Sequence, residues 1–451
     1  MSFEASTAFG ALSPLVRDDS RRELSSLLAT NHASYHCFFN TRGMHNHLVH
    51  QLIADVTLGA TPADLRSHMQ YQRDHYLGGF SLSRRERYDP HTTDSAAVPK
   101  ITDANWGDHL GRPSHYWTYL HFFEHKLQDL GMARVLEEYV FSAGANQAGR
   151  EMLARWLGGV LHAAIHFGYA VETRVVGVAA EAMAMAAVTA ARHTWLTPHD
   201  WLMQTPRAGK SLLELVREVQ SDARVAVDAL GLREADTPLI DEPFEKGGTA
   251  YGVVHEYIDA WNVSDPSQAS SEVALLAALM LGAVPLKDGA YHHDFFLMHV
   301  NNVHLFTPLL LELLPASSRG AMLRALGAHL LYYYLVRGRP AFTPSHLTNP
   351  LCTRKLGWDE MFKASRESVD EHLPKAVRTL YIHSLAHPPP PPPHRGQLNT
   401  LLALSHHDTT LDDVYRATAQ QMVDMHTGQI RPSTHDVMGA QQEFWQFQPF
   451  F

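Results

Sequence analysis

The chain is poor in cysteine and has no long apolar run. Its 451 residues include only Cys37 and Cys352, too few for a disulfide framework and not arranged as a C-x-x-C pair. We therefore expect a reducing, cytoplasmic location. No stretch has the roughly 18 uncharged apolar residues that a transmembrane helix needs, and the first 20 residues lack the pattern of a secretory signal. A membrane partner is not expected.

Basic clusters are also missing. The 37 Lys and Arg residues are outnumbered by 47 Asp and Glu residues, which gives a formal net charge of −10. Nucleic acids and anionic membranes attract basic surfaces, so neither is expected as a partner.

Several nucleotide-binding and catalytic motifs are absent. There is no G-x-G-x-x-G after a strand and no G-x-x-x-x-G-K-[ST], so we expect neither bound flavin nor a Rossmann domain for NAD(P). The G-x-S-x-G hydrolase motif and the kinase signatures are missing too.

Hydrophobic periodicity is helical almost throughout. In residues 46–58, Leu48, Leu52, Ile53 and Val56 form an apolar stripe at helical spacing. Similar patterns cover 115–141, 150–170, 176–193, 210–230, 269–282, 291–314, 319–336, 359–383 and 410–425. With 45 % hydrophobic residues, the chain can bury a large core. We predict an all-α fold in a single large multi-helix domain over 1–451, with a Pro-rich surface loop at 385–398.

Histidine is abundant, with 31 residues, and four apolar helical patterns carry the notable ones. These segments are HNHLVH from His45, HAAIH from His162, DFFLMHVNNVH from Asp294 and DEHLPK from Asp370. A buried imidazole is costly unless it is paired, and one metal ion could satisfy several at once. A single histidine in such a pattern is also compatible with an ordinary core position.

The spacing within these segments suits a metal site among central helices. His162 and His166 are four residues apart and share a helix face, as in zinc sites, but the Glu of H-E-x-x-H is missing. His372 and Lys375 also share a face, and Pro374 between them marks a first turn or a kink. Imidazole binds Fe, Zn, Cu or Ni, so spacing alone leaves the metal open.

Other interpretations have weaker support. Four His-Asp dipeptides, beginning at His199, His293, His407 and His435, suggest an HD-type phosphohydrolase, but the spaced upstream His and downstream helical Asp are not evident. A non-catalytic helical scaffold is a further alternative. The aromatic residues Trp106, Tyr116 and Trp117 form either a hydrophobic cluster or a wall for a flat aromatic ligand.

Five segments occur in an order that resembles the questin oxidase-like family of fungal secondary metabolism. They are MHNHLVHQLIADVTLGA (44–60), NWGDHLG (105–111), LHAAIHFGYAVE (161–172), DFFLMH (294–299) and DEHLPK (370–375). The resemblance implies an all-α oxidoreductase that opens the ring of an anthraquinone-type polyketide. The chain departs from the family at Gln51 and at Ala163 and Ala164, which leaves the proposed ligands in place.

A closer comparison is with non-heme iron dioxygenases that cleave anthraquinone rings, in which histidines and a carboxylated lysine bind iron. The resemblance then implies Fe(II), with O₂ as co-substrate and a carbamate on the lysine. The implied metal ligands are His47, His166, His299, His372 and Lys375. Catalytic roles are expected for Lys375, His50 and His162, and substrate contacts for Trp106, Tyr116 and Trp117. The choice between His47 and His50 and the roles of His162 and His304 stay open.

The carbamate has a simple physical basis. Burial lowers the pKa of a lysine, and its neutral amine can then react with carbon dioxide to give an anionic oxygen ligand. Two rival functions remain: a Baeyer–Villiger-type oxidase of the same substrates, with NADPH or without a cofactor, and a helical metal-dependent hydrolase. The identity of the small aromatic substrate and the oligomeric state do not follow from the sequence.

Overall fold

The fold is described from a computed structural model. It describes residues 15–78, 99–204, 209–233, 239–286, 291–343, 345–348, 354–386 and 411–428, together with 3–6, 9, 13 and 445. Cys352, Pro388–Pro393 and most of the predicted 385–398 loop lie outside this part of the chain. Cys37 is a buried free thiol.

The all-α prediction is confirmed. Within the described ranges there is no β-strand, and two isolated bridges, Phe38 with His45 and Lys210 with Trp261, are the extent of the extended pairing. No described helix is both long and apolar enough to cross a membrane.

The described residues group into two compact units. The first unit comprises 1–199, 309–318 and 366–375, and the second comprises 200–308, 319–365 and 376–451. The single domain over 1–451 stays a prediction.

The described residues of the first unit form seven α-helices before residue 199. They are α1 (Asp18–Ser34), α2 (Leu48–Thr57), α3 (Pro62–Gln72), α4 (Tyr116–Leu136), α5 (Met152–Trp156), α6 (Gly158–Thr173) and α7 (Val176–Val188). Helix α7 packs against α4 and α6. Its sequence, VGVAAEAMAMAAV, consists mainly of small side chains, and those after Val176 are buried. Small residues let the backbones of neighbouring helices approach closely, so α7 can occupy a narrow space between α4 and α6.

The later helices are α8 (His199–Leu202), α9 (Leu212–Ser221), α10 (Val253–Asp259), α11 (Pro266–Gly282), α12 (Phe295–His304), α13 (Thr307–Leu313), α14 (Ala316–Val336), α15 (Ser345–Thr348), α16 (Trp358–Arg366), α17 (Leu373–Ala386) and α18 (Leu411–His426). Most of them belong to the second unit, whereas the first residues of α17, including Lys375, belong to the first. Helix α11 packs against α12 and α18 within the second unit.

Side-chain caps fix several helix starts. Thr61 and Asp64 form a reciprocal capping box at α3, next to Pro62. The predicted helix over 359–383 is in fact two helices, because the Asp370 carboxylate accepts the backbone N–H groups of His372 and Leu373 and starts α17 there. Pro374 therefore lies in a first turn.

A left-handed turn begins α6. Gly159, Val160 and Leu161 have φ of 55°, 58° and 65°, in the region that L-residues disfavour. Glycine adopts this region freely, but Val160 and Leu161 do not. Three consecutive residues in this conformation immediately precede His162, and such strain is typical of functional sites.

We predict that Val160→Gly leaves the melting temperature unchanged or raises it. The left-handed conformation costs roughly 1–2 kcal/mol for a residue with a Cβ, and glycine removes that cost. The matched control is Val171→Gly, at a half-buried position with right-handed backbone later in α6, where glycine is expected to lower stability by about 1 kcal/mol or more. Equal destabilisation by the two substitutions, measured by thermal unfolding, would contradict strain at Val160.

Candidate metal centre

His47 and His162 lie at the centre of a buried histidine cluster in the first unit. His47 is the residue before α2, His162 follows the left-handed turn of α6, and each is 3 % exposed. Their Nε2 atoms are 2.6 Å apart. The two imidazoles therefore face each other through their Nε2 atoms.

Each ring also has a hydrogen-bond partner at Nδ1, on the side away from the contact between the Nε2 atoms. Nδ1 of His162 lies 2.5 Å from the Gly159 carbonyl oxygen, which can only accept, so this nitrogen carries a proton. Nδ1 of His47 lies 3.1 Å from Oε1 of Glu371, which accepts in the same way when it is ionised. Neutral imidazoles with protonated Nδ1 have lone pairs on Nε2, so with Glu371 ionised the two lone pairs would face each other. A cation is the group that would satisfy both, and an outer carbonyl or carboxylate is the usual support of a metal-binding histidine.

Burial keeps these rings neutral. Burial lowers the pKa of His45, His47 and His50 well below the ordinary value, and nearby positive charges act in the same direction. Neutral imidazole is the form that binds metals.

His45 packs flat on His162, with ring centroids 3.9 Å apart and an interplanar angle of 3°. A Cβ at Gly159 would lie 2.7 Å from the His45 ring, so glycine is required there for space as well as for backbone conformation. The stack and the Gly159 carbonyl together fix the orientation of His162.

His372 and Lys375 add a third imidazole and an amine at the start of α17. The His372 ring lies edge-on to His47, with centroids 4.6 Å apart, and His372 and Lys375 are 0 % and 1 % exposed. Burial lowers the pKa of Lys375 to about 8, although the Glu371 and Asp370 carboxylates oppose the change. Burial also raises the pKa of Glu371, against the effect of Lys375.

His50 and His166 face each other in a neighbouring part of the cluster. Nε2 of His50 is 3.0 Å from Nδ1 of His166, and Nε2 of His166 is 2.9 Å from Oε2 of Glu181. Both nitrogens of His166 are thus engaged. Of the predicted pair on α6, it is His162 that meets His47. The assignment of His166 as a metal ligand stays a prediction, and this geometry favours His162.

Glu181 is bound from two sides. Its Oε1 lies 2.8 Å from Nδ1 of His32, and the other nitrogen of His32 lies 2.8 Å from Oε1 of Glu124. Burial alone would lower the pKa of His32, but the two carboxylates raise it to about 8. Burial would raise the pKa of Glu181, but its hydrogen bonds with His166 and His32 lower it to about 2.

His299 belongs to the second unit. Its Nδ1 lies 2.8 Å from the Phe295 carbonyl oxygen, one turn earlier in α12, so Nδ1 is the protonated nitrogen. Asp294 caps α12 and forms a buried ion pair with Arg337 at 2.5 Å, which fixes the helix start. His304, at the end of α12, has a pKa lowered to about 3 by burial. Participation of His299 in the metal set stays a prediction.

The three predicted substrate-binding aromatics are buried. The Trp106 ring contacts Tyr139 and lies under the Arg150 guanidinium, whereas Tyr116 and Trp117 contact each other and His36. Packing accounts for these contacts, and their role in substrate binding stays a prediction.

Sequence reasoning missed the acidic partners Glu371 and Glu181 and the outer histidines His32 and His45. Glu181 gives the clearest signal, because it is the one ionisable residue in the 13 of α7, and a charge in such a segment needs a partner. His32 and His45 have no comparable signal, because their partners are distant in sequence.

The chain is similar to several known proteins. Residues 44–380 match the model of the questin oxidase-like family, and the chain belongs to that family. The Baeyer–Villiger oxidase AgnL3 of Paecilomyces divaricatus is 29 % identical, with 81 % of this chain and 79 % of the relative aligned. The questin oxidase of Aspergillus terreus is 24 % identical over 78 % of each chain. The oxidoreductase AflY of Aspergillus parasiticus is 23 % identical over 79 % of this chain and 71 % of its own. The protein is therefore an oxidoreductase, as the sequence analysis expects.

We predict a pH-dependent loss of stability in His32→Gln. The pKa of His32 is raised from 6.5 to about 8, so its contribution is fully present below about pH 6.5 and is lost as the pH rises through 8. The stability difference from the unmodified protein should be on the order of 2 kcal/mol at pH 6 and shrink above pH 8, measured by urea unfolding. The control is His125→Gln, at an exposed position of α4, with little effect expected. A difference that does not change with pH would refute the assignment of charge to His32.

Proposed function

We propose that this protein is a non-heme iron-dependent dioxygenase that cleaves a carbon–carbon bond in a ring of an anthraquinone-type polyketide in fungal secondary metabolism. The observation that carries the proposal is the pair of Nε2 atoms of His47 and His162, 2.6 Å apart in a buried site, with both Nδ1 atoms held by acceptors. Membership of the questin oxidase-like family supports the substrate class.

The proposed ligands in the first unit are His47, His162, His372 and a carbamate on Lys375. His299 is the further imidazole proposed from the family resemblance. We place His162 in the set instead of His166, since Nε2 of His162 lies 2.6 Å from Nε2 of His47, whereas His166 contacts His50 and Glu181. Four neutral imidazoles and one anionic oxygen ligand suit Fe(II).

Lys375 suits carbamate formation for two reasons. Its buried position lowers the pKa to about 8, so a substantial fraction of the amine is neutral near neutral pH and can react with carbon dioxide. The carbamate then replaces a cation with an anion beside several imidazoles, which offsets part of the metal charge.

Bound Fe(II) would supply the activation of O₂ that an electron-rich ring needs for oxidative cleavage. The residues of the chain orient this chemistry: the Gly159 carbonyl holds a proton on Nδ1 of His162, Glu371 lies 3.1 Å from Nδ1 of His47, and His45 fixes the plane of His162. The buried histidines exclude bulk water from the cluster. The hydroquinone form of the ring plus O₂ contains all the atoms of the ring-opened hydroxy-keto acid.

A second candidate is an NADPH-using Baeyer–Villiger-type oxidase of the same substrates. Its support comes from the name of the relative AgnL3, a Baeyer–Villiger oxidase. This reaction inserts one oxygen atom of O₂ into the quinone to give a lactone, reduces the other to water at the expense of NADPH, and leaves ring opening to hydrolysis.

Isotope labelling separates the two functions. With ¹⁸O₂ and a chemically reduced hydroxyanthraquinone, the dioxygenase should incorporate both labelled atoms into the product without NADPH. Metal analysis should find iron, and a chelator that removes it should abolish O₂ uptake. Incorporation of one labelled atom, with NADPH consumption and no loss of turnover on chelation, would replace the proposal with the Baeyer–Villiger alternative.

We predict that Lys375→Ala and Lys375→Arg lose bound iron and ring-cleaving activity, because neither side chain can form a carbamate. Iron content is measured by mass spectrometry, together with thermal unfolding to confirm folding. The matched control is Lys355→Ala, at an exposed lysine, which should keep both iron and activity. Full iron content and activity in either Lys375 variant would remove this residue from the ligand set.

A further inference from the structure

Five buried or nearly buried side chains form a continuous hydrogen-bonded series across the first unit. In order, they are Glu124 of α4, His32 of α1, Glu181 of α7, His166 of α6 and His50 of α2. The four successive heavy-atom distances are 2.8, 2.8, 2.9 and 3.0 Å. We refer to these five residues as the carboxylate–histidine chain.

Each inner member of the chain uses opposite atoms for its two partners. His32 contacts Glu181 through Nδ1 and Glu124 through Nε2. Glu181 contacts His32 through Oε1 and His166 through Oε2. A group that accepts a proton on one atom and releases one from another can pass protons along, so this is the connectivity that a proton relay needs.

The two ends differ in exposure. The Glu124 side chain is 12 % exposed, whereas Glu181, His166 and His50 are at most 2 % exposed. His121, which is 40 % exposed, lies next to Glu124, with its Nδ1 3.7 Å from Oε2. Glu124 is therefore the end that exchanges protons with solvent.

The inner end lies beside the candidate metal centre. The His50 ring centroid is 6.2 Å from that of His162 and 6.1 Å from that of His47. Nδ1 of His50 is buried and has no hydrogen-bond partner among the described residues. With Nε2 bound to His166, this nitrogen is the position where a further proton can enter or leave the chain.

If the carboxylate–histidine chain served only to stabilise the buried Glu181 charge, it would need fewer residues. Glu181 is buried in an apolar helix, and a single ion pair with His32 would compensate its charge. The continuation to His166 and His50 on one side, and to Glu124 on the other, is not needed for that purpose. It connects two places, solvent and the cluster, that a reaction with proton transfer has to connect.

We propose that the carboxylate–histidine chain conducts protons between solvent and the ring-oxidation site, with His50 as the inner proton acceptor. A ring hydroxyl of the substrate gives its proton to Nδ1 of His50 and keeps the electron pair as a phenolate, the form that O₂ attacks more readily. His50 passes the proton on its Nε2 to His166, and His166 passes the proton on its own Nε2 to Glu181. His32 carries protons on both nitrogens between its two carboxylates and releases the one on Nε2 through Glu124 to water, so that one proton leaves the chain for each one that enters. This inference rests on the proposed oxidation of a hydroxylated aromatic ring.

Glu181→Gln tests the middle of the chain, since the amide keeps the shape but does not relay protons. We expect the single-turnover rate on a reduced hydroxyanthraquinone to fall at least about 10-fold, with a larger solvent deuterium isotope effect and unchanged iron content. The matched control is Asp55→Asn, in the separate buried pair that Asp55 forms with His68 at 2.7 Å. It should leave the isotope effect unchanged.

Glu124→Ala tests the outer end. Because Glu124 lies close to the surface, formate or acetate should restore the rate of this variant and have no effect on Glu181→Gln. An unchanged rate and isotope effect in both variants would overturn the proposal, as would a loss of activity that follows loss of iron.

A measurement on the metal-free protein separates this inference from the proposed function. In protein with ¹⁵N-labelled histidine, Glu124→Ala should shift the ring nitrogens of His166 and His50 as well as those of His32, since the proton positions are coupled. A shift confined to His32 would refute the relay, even if the protein is an iron dioxygenase. Shifts along the whole chain without ring-cleaving activity would refute the dioxygenase and leave the coupled proton path in place.

Discussion

The contact between Nε2 of His47 and Nε2 of His162 is the constraint on which the candidate site depends. Two imidazole tips 2.6 Å apart need a positive charge between them once both Nδ1 atoms carry protons. Each ring is held by an acceptor, one from a backbone carbonyl and one from a carboxylate. The left-handed turn brings the Gly159 carbonyl to Nδ1 of His162, and the stack with His45 fixes the plane of that ring.

Helical periodicity predicted much of the fold. It found the regions of α2, α4, α6, α7, α11, α14 and α18, because each buries a broad apolar face. It did not separate α16 from α17, since the apolar pattern continues through the break and the cap at Asp370 is a local side-chain effect. Helices α1 and α10 were not predicted from their patterns.

The residues singled out in the sequence are buried as expected, whereas their arrangement did not follow from the sequence. His47, His162, His166, His372 and Lys375 are all buried in the first unit, as their positions in apolar segments suggested. Spacing placed His162 and His166 on one face, but the left-handed turn and the hydrogen bond with Gly159 direct His162 toward His47. No sequence signal predicts left-handed backbone at Val160 or Leu161, because both residues disfavour it. The partners of His166 and His32 come from distant segments, which a single sequence does not connect.

The small side chains of α7 determine how many neighbouring helices a single carboxylate on it can contact. A helix with leucine or phenylalanine on its faces would hold its neighbours farther away, and one carboxylate could then not reach imidazoles on α1 and α6 at the same time. Alanine and glycine keep α1 and α6 close enough for the two carboxylate oxygens of Glu181 to contact His32 and His166. Direct side-chain contact thus replaces the ordered water that a wider interior would require.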